Sequence, residues 1–246
     1  MFGWLKNNLN RSKPPRHEDV QLVSEWAGLQ GFSLSENACE ARSSQGGFML
    51  SGKASGKPWK LVLGNASRDY VQGKELRARA ELGLAPAVEL LITNRPLRTL
   101  LLTKRQQVDQ PGFRATGEAS LEQIMQGEPP PRLRYVDELR WMTRLPEVSW
   151  DSLPAEFWAR YSVTARDRQH AMALIDPNLA ELMLAWPQEA TTDQIPMSLM
   201  LLRGKAYMRM QYTPSVMSTL QHAAIVFTSA CSSAVGSLPA AVQTAG

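Results

Sequence analysis

Cysteine and histidine, from which disulfide frameworks and many metal centres are built, are scarce in this sequence. Its 246 residues contain two cysteines, Cys39 and Cys231, and three histidines, His17, His170 and His222. Two cysteines cannot form a disulfide framework, and no histidine has a second metal ligand at helical or hairpin spacing. The sequence therefore predicts no metal centre and no bound cofactor. Cys231 lies among small apolar residues and is expected to be a free thiol in the core.

Signals for export and for common catalytic sites are also absent. The opening residues MFGWLKNNLN have neither the continuous apolar stretch nor the small-residue cleavage site of a secretory signal, so we expect a cytoplasmic protein with reduced thiols. No G-x-S-x-G motif marks a nucleophilic serine. Residues 47–54, GFMLSGKA, end in alanine where a phosphate-binding loop requires serine or threonine. The apolar run at 48–50 favours a hairpin strand over a nucleotide site.

Charged residues are missing from the last 37 residues of the chain, after Arg209. Residues 223–242 are long enough to span a bilayer, which needs about 20 apolar residues. However, they include several serines and threonines, Gly236 and Pro239, and a single leucine. This composition favours a core helix followed by a flexible tail, with a membrane-associated helix as the alternative.

Positive charge is unevenly distributed along the chain. The net charge is +4, and residues 1–16 supply four basic side chains and no acid, while the rest of the chain carries 23 basic and 23 acidic residues. Nucleic-acid binding requires a dense basic face on the folded domain, which a neutral body does not predict. Arg77 and Arg79, with Arg68 and Lys74 nearby, allow a local anion-binding face, against a solvated strand face as the default interpretation.

The basic leader, residues 1–16, combines apolar and cationic side chains. Pro14 and Pro15 should separate it from the body of the protein, because proline stops a helix. Large apolar residues beside cations are typical of a segment that lies in the headgroup region of an anionic membrane or docks on a partner. The alternative is a loosely packed leader. The residues expected to dock are Phe2, Trp4, Leu5, Lys6, Leu9, Arg11, Lys13 and Arg16.

Hydrophobic periodicity predicts an α+β fold in which antiparallel sheet segments have helices packed on one face. Alternating patterns around a Ser55-Gly56-Lys57 turn predict one hairpin, and those around Arg203-Gly204-Lys205 predict a second. Helical spacing is present over 17–30, over 134–144 and after Pro214. The predicted strands are 47–54, 58–65, 75–82, 87–93, 97–103, 197–202 and 206–212.

The segment from Phe157 to Trp186 has the most informative pattern. Alternation from Phe157 onwards predicts a strand, and the apolar spacing after Asp167 predicts a helix that is interrupted at Asp176-Pro177 and then restarts. Asp167 and Asp176 are interpreted as helix N-caps rather than as paired catalytic carboxylates.

The same patterns divide the chain into two α+β halves, which form either one body or two apposed bodies. Glycine, glutamine and glutamate, followed by Pro129-Pro130-Pro131, indicate the connection between them. The predicted segments are a basic leader (1–16), an N-terminal half (17–103), a linker (104–132), a C-terminal half (133–236) and a flexible tail (237–246).

The motifs F-x3-Y-x-V-x3-D and A-x2-L-x-D-P-x-L, together with the hairpins and the terminal helix, resemble a group of uncharacterised bacterial proteins that share a domain of unknown function. That group typically has F-x3-F-x-V-x3-D followed by A-x2-L-L-x-P-x-L. Tyr161 and Asp176 depart from this pattern. The resemblance implies an α+β domain, near the bacterial inner membrane in some relatives, with no established activity. The matching positions are Phe157, Tyr161, Val163, Asp167, Ala171, Leu174, Pro177 and Leu179.

These observations favour a non-catalytic binding or scaffolding protein of the bacterial cytoplasm that has a protein partner. A more specific form of this hypothesis is an accessory subunit docked on an inner-membrane complex, with the leader against the anionic membrane surface. The alternative is an enzyme of unknown reaction whose site is assembled from scattered residues. Its first candidates are His170, Asp167 and the arginines of residues 68–79.

Overall fold

The structure is a computed structural model that describes residues 17–36, 47–109, 131–187, 195–212 and 217–241. Its strands are β1 (Ser33–Glu36), β2 (Phe48–Ala54), β3 (Lys57–Asn65), β4 (Lys74–Glu81), β5 (Leu90–Asn94), β6 (Tyr161–Ala165), β7 (Met197–Leu202) and β8 (Lys205–Tyr212). Its helices are α1 (His17–Leu29), α2 (Arg95–Val108), α3 (Pro131–Arg144), α4 (Ala155–Arg160), α5 (Arg168–Leu174), α6 (Pro177–Leu184) and α7 (Met217–Ser237). The strands form one antiparallel sheet in the order β1-β2-β3-β4-β8-β7-β5-β6, which confirms the predicted α+β class.

Both predicted hairpins are present, and each is closed by a two-residue turn. Ser55 and Gly56 have φ values of 47° and 76°, and Arg203 and Gly204 have φ values of 51° and 74°. Positive φ at both positions is the geometry of a type I′ turn, whose twist matches that of the flanking strands. At Gly204, an added Cβ would also lie 2.9 Å from the carbonyl oxygen of Leu84. Glycine is therefore required there by backbone conformation and by space.

The pairing of β4 with β8 joins the two halves of the chain in the sheet. It runs from Lys74 opposite Tyr212 to Glu81 opposite Lys205. On the far side of β8, β5 from the first half lies between β7 and β6 from the second half. Strands from both halves therefore contribute to one continuous sheet.

The larger hydrophobic core lies on one face of the sheet, beneath α1, α5, α6 and α7. Alternate strand residues point into it, and Leu50, Leu61, Leu76 and Met208 of four strands are fully buried there. Full burial of a leucine-sized side chain contributes roughly 1.5–3 kcal/mol. This face is therefore the main source of hydrophobic stabilisation.

The C-terminal helix α7 belongs to this core. Leu220, Ala224, Phe227 and Cys231 share one face of the helix and are buried, as their spacing predicts. Burial raises the pKa of Cys231 to about 12, so the thiol stays protonated in the folded protein. The predicted core thiol is confirmed. None of the helices in the described ranges combines the length and the apolar composition needed to cross a membrane.

A smaller hydrophobic cluster on the opposite face of the sheet holds α2 and α3. Leu97 and Leu101 of α2, one helical turn apart, are buried in this cluster with Leu91 of β5 and Met200 of β7. Leu91 and Met200 alternate with residues of the larger core, so this cluster lies on the other side of the strands. Besides the helices on the main core face, a helix pair thus covers the second face over β5 and β7.

The strand predicted at 97–103 is wrong, because these residues belong to α2. The helix begins directly after β5, with Asn94 in an extended conformation and Pro96 in the first turn, where a missing N–H is tolerated. The run of leucines is compatible with a buried strand or a helix, and only the burial of Leu97 and Leu101 shows the helical period. The helix continues to Val108, inside the range expected to link the two halves.

A buried cation also joins α2 to α3. Arg98 of α2 is 8% exposed, and its Nη1 donates a 3.0 Å hydrogen bond to the carbonyl oxygen of Met142 in the last turn of α3. Desolvation by burial lowers the pKa of Arg98. The negative end of the α3 dipole stabilises the cation and fixes the two helices relative to each other.

The predicted strand–helix–helix unit is present, with one correction at its start. The strand β6 begins at Tyr161 and not at Phe157, because residues 155–160 form α4. Asp167 and Asp176 cap α5 and α6 as predicted. Each carboxylate accepts a backbone N–H from the helix that it precedes, at 2.8 Å and 2.7 Å.

Candidate binding surface

The docking residues predicted in the leader lie outside the residues that the structure describes. They are Phe2, Trp4, Leu5, Lys6, Leu9, Arg11, Lys13 and Arg16. Their contact with a membrane or a partner therefore stays a prediction.

The residues named for an alternative enzymatic site lie in separate parts of the molecule. Asp167 and His170 are at the start of α5, next to the edge strand β6, whereas Arg77 and Arg79 are on β4. Three strands, β8, β7 and β5, lie between β4 and β6, so these strands are about 19 Å apart at about 4.8 Å per step. Arg68 forms an ion pair with α3. The structure does not bring these side chains together, and no cluster in the described ranges could hold a metal ion.

His222 has structural contacts that join α7 to α6. Its Nε2 lies 2.7 Å from the carbonyl oxygen of Leu182, and its ring packs edge-on against Trp186 with 4.6 Å between ring centroids. Burial lowers the pKa of His222, and the hydrogen bond to the carbonyl only partly opposes this effect. The neutral ring is therefore favoured in the folded protein.

One part of the sheet is left uncovered by the described residues. The face opposite the main core carries α2 and α3 over β5 and β7, but no described helix lies on the same face of β2, β3 and β4. We call this surface, with the adjoining side chains of β8, the open face. Its exposed and half-buried side chains are Met49, Ser51, Lys53, Pro58, Lys60, Val62, Arg77, Arg79, Glu81, Lys205, Tyr207 and Arg209.

The open face is cationic, with six basic residues, and two carboxylates neutralise part of this charge. Glu81 forms ion pairs with Arg79 and, at 3.2 Å, with Lys205. The hydrogen bond from Arg79 lowers the pKa of Glu81. At the other end of the face, the fully buried Glu75 pairs with Arg209 at 3.2 Å. Three of the six cations thus have a carboxylate partner among the described residues, and two of the six positive charges are balanced.

The other three cations, Lys53, Lys60 and Arg77, have no carboxylate partner among the residues that the structure describes. The strand register also places like charges opposite each other, because Lys60 faces Arg79 and Arg77 faces Arg209. Like charges at directly opposite positions destabilise a sheet. The buried Nε atom of Arg77 has no hydrogen-bond partner among the residues that the structure describes. These cations therefore retain the capacity to bind a negatively charged group.

A depression of about 440 Å³ lies on the open face, over β2, β3 and β4. This volume is within the range of ligand pockets, about 300–1,000 Å³. Its polar lining consists of Ser51, Lys60, Arg79 and Glu81, and its apolar lining includes Met49 and Pro58. The depression therefore combines positive charge with apolar walls.

A larger cleft of about 640 Å³ lies at the β6 end of the sheet, but its main polar groups are already engaged. Arg95 pairs with Glu147 at 2.7 Å and donates from Nε to the carbonyl oxygen of Trp158 at 3.0 Å. Trp158 in turn donates from Nε1 to the carbonyl oxygen of Trp150 at 3.2 Å, and the two rings pack edge to face. These contacts hold the segment that contains Trp150 and Trp158 in place beside β6. They also give the main polar groups of the cleft partners within the protein, so the arrangement does not require a ligand.

The sequence identified only part of the open face. Alternation placed the arginines of β4 on the outward side of a strand, but their neighbours Lys60 and Arg209 are brought there by pairing with β3 and β8. Arg68 and Lys74, expected nearby, have other contacts. Arg68 pairs with α3, and Lys74 is 1% exposed and donates to the side chain of Asn65 at 2.9 Å.

Comparison of the chain with models of known protein families, with curated proteins and with solved structures finds no match. The resemblance of the motifs in 157–179 to uncharacterised bacterial proteins stays a prediction. The geometry of the surface is therefore the basis for the functional proposal.

Proposed function

We propose that this protein is a non-catalytic binding protein and that a protein partner covers the open face. The observation that carries the proposal is a contrast between two parts of the same side of the sheet. Over β5 and β7, α2 and α3 bury Leu91 and Met200, whereas no described helix lies over β2, β3 and β4. Sheets in layered folds pack helices on an apolar face or expose a polar one. The open face is not uniformly polar, and a partner would complete the layer.

The side chains of the open face suit a protein partner. Met49, Val62 and Tyr207 are half-buried and lie among the cations. Interfaces commonly combine an apolar centre with a polar rim, and tyrosine, methionine and arginine are enriched in them. A strand face that meets only solvent usually carries polar side chains at such positions.

Site-specific photo-crosslinking in cells tests where the partner binds. A benzophenone amino acid would replace Lys53 on the open face or, as the matched control, Glu181, an exposed residue of α6 on the other side of the sheet. We expect one adduct of constant mass from position 53 and none from position 181, and a stoichiometric partner after native purification. Adducts only from position 181, or a monomer without adducts from either position, would contradict the proposal.

The more specific proposal, an accessory subunit docked on an inner-membrane complex, assigns membrane attachment to residues 1–16. It is supported by the coincidence of four basic residues with Phe2, Trp4 and Leu5 in the sequence. Deleting 1–16 should release the protein into the soluble fraction and leave the thermal unfolding of the body unchanged. High salt should release only part of the full-length protein, because insertion of apolar side chains is insensitive to screening. A truncated protein that stays bound would contradict this assignment.

A further inference from the structure

We propose that the partner segment on the open face is acidic, with carboxylates that pair with Lys60, Arg77 and Arg79. This inference rests on the proposed function and specifies its chemistry. The three cations occupy neighbouring positions on β3 and β4, and Arg79 alone among them has a carboxylate partner within the described ranges. An acidic segment would supply negative charge to cations that the described residues leave without a full complement of carboxylates.

The spacing of the cations matches carboxylates on regular secondary structure. Residues two apart on a strand are about 7 Å apart, so Arg77 and Arg79 project from β4 at that spacing. Lys60 lies on the next strand, about 4.8 Å away. Carboxylates three or four residues apart on a helix have Cβ atoms about 5–6 Å apart. A folded acidic segment can therefore present two or three carboxylates to these cations at once.

The depression on the open face provides a place for one of these carboxylates. Lys60 and Arg79 supply two positive charges against the single negative charge of Glu81, and the hydroxyl group of Ser51 can donate a hydrogen bond. Met49 and Pro58 line the same depression and can contact the methylene groups of a glutamate. Hydrogen bonds from a cation to a carboxylate are stronger than bonds between neutral groups. This lining favours glutamate or aspartate over a neutral polar side chain.

Two features favour an acidic polypeptide over a polyphosphate such as a nucleic acid. The carboxylate of Glu81 lies between Arg79 and Lys205 and would repel the continuous negative charge of a phosphate backbone, whereas a peptide can place its carboxylates at Lys60, Arg77 and Arg79 alone. Single-stranded nucleic acids are usually bound by stacking of bases on several aromatic rings. Tyr207 is the single aromatic residue among the side chains of the open face, and the guanidinium of Arg79 already lies 5.9 Å from its ring centroid.

Fluorescence anisotropy with defined probes tests the chemistry. The main probe is a labelled alanine-based peptide with glutamates along one helical face, and the matched probe has glutamine at those positions. The full-length protein should bind the glutamate peptide saturably and the glutamine peptide not at all. Lys60→Gln/Arg79→Gln should weaken binding of the glutamate peptide by about tenfold or more, because charge complementarity is lost. Circular dichroism of each variant checks that the fold is intact.

The matched control variant, Arg95→Gln/Arg168→Gln, removes two positive charges at the β6 end of the molecule, that of the half-buried Arg95 and that of the exposed Arg168. It should leave the affinity for the glutamate peptide unchanged. An equal loss in this control would show that net charge alone drives binding, which would overturn the assignment to the open face. Equal binding of the glutamate and glutamine peptides would overturn it as well.

Two further probes separate other sources of negative charge, a labelled oligothymidine and vesicles that contain phosphatidylglycerol. Binding of either probe that depends on Lys60 and Arg79, without binding of the glutamate peptide, would overturn the acidic-polypeptide assignment. Crosslinking from position 53 distinguishes this failure from failure of the proposed function. If the adduct still forms in Lys60→Gln/Arg79→Gln, the protein partner is supported and its acidic chemistry is refuted. If no adduct forms even without these substitutions, the partner itself is refuted.

Discussion

Glu89 links three parts of the chain through one carboxylate, and its removal gives a quantitative test of the structure. The residue directly precedes β5, and its side chain is 11% exposed. Arg144 at the end of α3 donates to both carboxylate oxygens at 2.9 Å and 2.8 Å, and Arg166 after β6 donates at 3.1 Å. The side chains of Arg144 and Arg166 are 48% and 56% exposed, so both would be solvated again if the carboxylate were lost.

The expected cost of Glu89→Gln lies between that of a buried and an exposed ion pair. A hydrogen bond to a charged group contributes about 1.5–3 kcal/mol, whereas an exposed ion pair contributes about 0–1 kcal/mol. Because the carboxylate is buried and the guanidinium groups are half exposed, we expect the free energy of unfolding to fall by about 1–2 kcal/mol. For a protein of this size the corresponding decrease in Tm is about 3–6 °C.

Urea denaturation monitored by tryptophan fluorescence measures this cost. The control is Glu147→Gln, because the pair between Glu147 and Arg95 is 41% exposed on both sides and should contribute at most about 0.5 kcal/mol. A double-mutant cycle of Glu89→Gln with Arg144→Gln should give a coupling energy of at least about 0.5 kcal/mol. Equal small losses for Glu89→Gln and Glu147→Gln would refute the reasoning that burial of the carboxylate sets its contribution.

Three further predictions concern single positions. Folding lowers the pKa of His222, so the stability that the neutral ring contributes is complete above about pH 6.5 and is lost as the pH falls below it. When unfolding is measured as a function of pH, His222→Gln should lose less stability at acidic pH than the wild-type protein. An equal loss of stability in the two proteins would contradict this. Cys231, with its pKa raised to about 12, should react with a thiol reagent only after unfolding, as measured in a Cys39→Ser background; rapid labelling of the folded protein would contradict its burial. Gly204→Ala should lower the free energy of unfolding by more than about 1 kcal/mol. Gly236→Ala, in open space on α7, should leave it unchanged or raise it by up to about 1 kcal/mol. Thermal denaturation measures both effects, and equal Tm values for the two variants would contradict this prediction.

Local features of the fold could be predicted because they depend on residues that are close in sequence. A hairpin turn of type I′ requires positive φ at two adjacent residues, and Gly56 and Gly204 mark both turns. The N-caps at Asp167 and Asp176 require only a short polar side chain before an apolar helical pattern. Such signals identify a turn or the start of a helix without knowledge of the rest of the molecule.

Other features depend on contacts between distant residues. The leucines of α2 fit a buried strand as well as a helix, and the choice is made by packing of Leu97 and Leu101 on the second face of the sheet. The pairing of β4 with β8 connects segments that are far apart in the chain. No periodicity within either strand specifies its neighbour. The sequence therefore predicted the two sheet segments, but not that they are one sheet.

The positive charge of the open face is not visible in a count of charged residues along the sequence. Outside the leader, basic and acidic residues are equal in number, which suggests an evenly charged surface. In the structure, Glu89, Glu138 and Glu147 form ion pairs with arginines around α2, α3 and β6. Glu75 and Glu81 are the acidic residues on β4, and Lys53, Lys60 and Arg77 on β2, β3 and β4 have no carboxylate partner among the described residues. A neutral total is compatible with a strongly cationic face when the fold separates the two signs.

The arrangement of cations on the open face should also reduce the stability of the protein, which gives a last prediction. Lys60 lies opposite Arg79, and like charges at such positions cost on the order of 0.2–1 kcal/mol. Lys60→Glu would replace this repulsion by attraction. Because Arg79 is already paired with Glu81, we expect the free energy of unfolding to rise by only about 0.2–0.5 kcal/mol. The same substitution should weaken binding of the glutamate peptide.

Urea denaturation at low and high salt, together with peptide anisotropy, measures both effects. The stability gain should decrease at high salt, because screening reduces interactions between exposed charges. Lys60→Ala, which removes the repulsion without adding attraction, should give intermediate values of stability and affinity. Opposite changes in stability and affinity are expected where side chains are retained for binding at a cost to folding. If Lys60→Glu lowers stability, or leaves the affinity for the peptide unchanged, the cations form a solvated strand face and the proposed partner site is wrong.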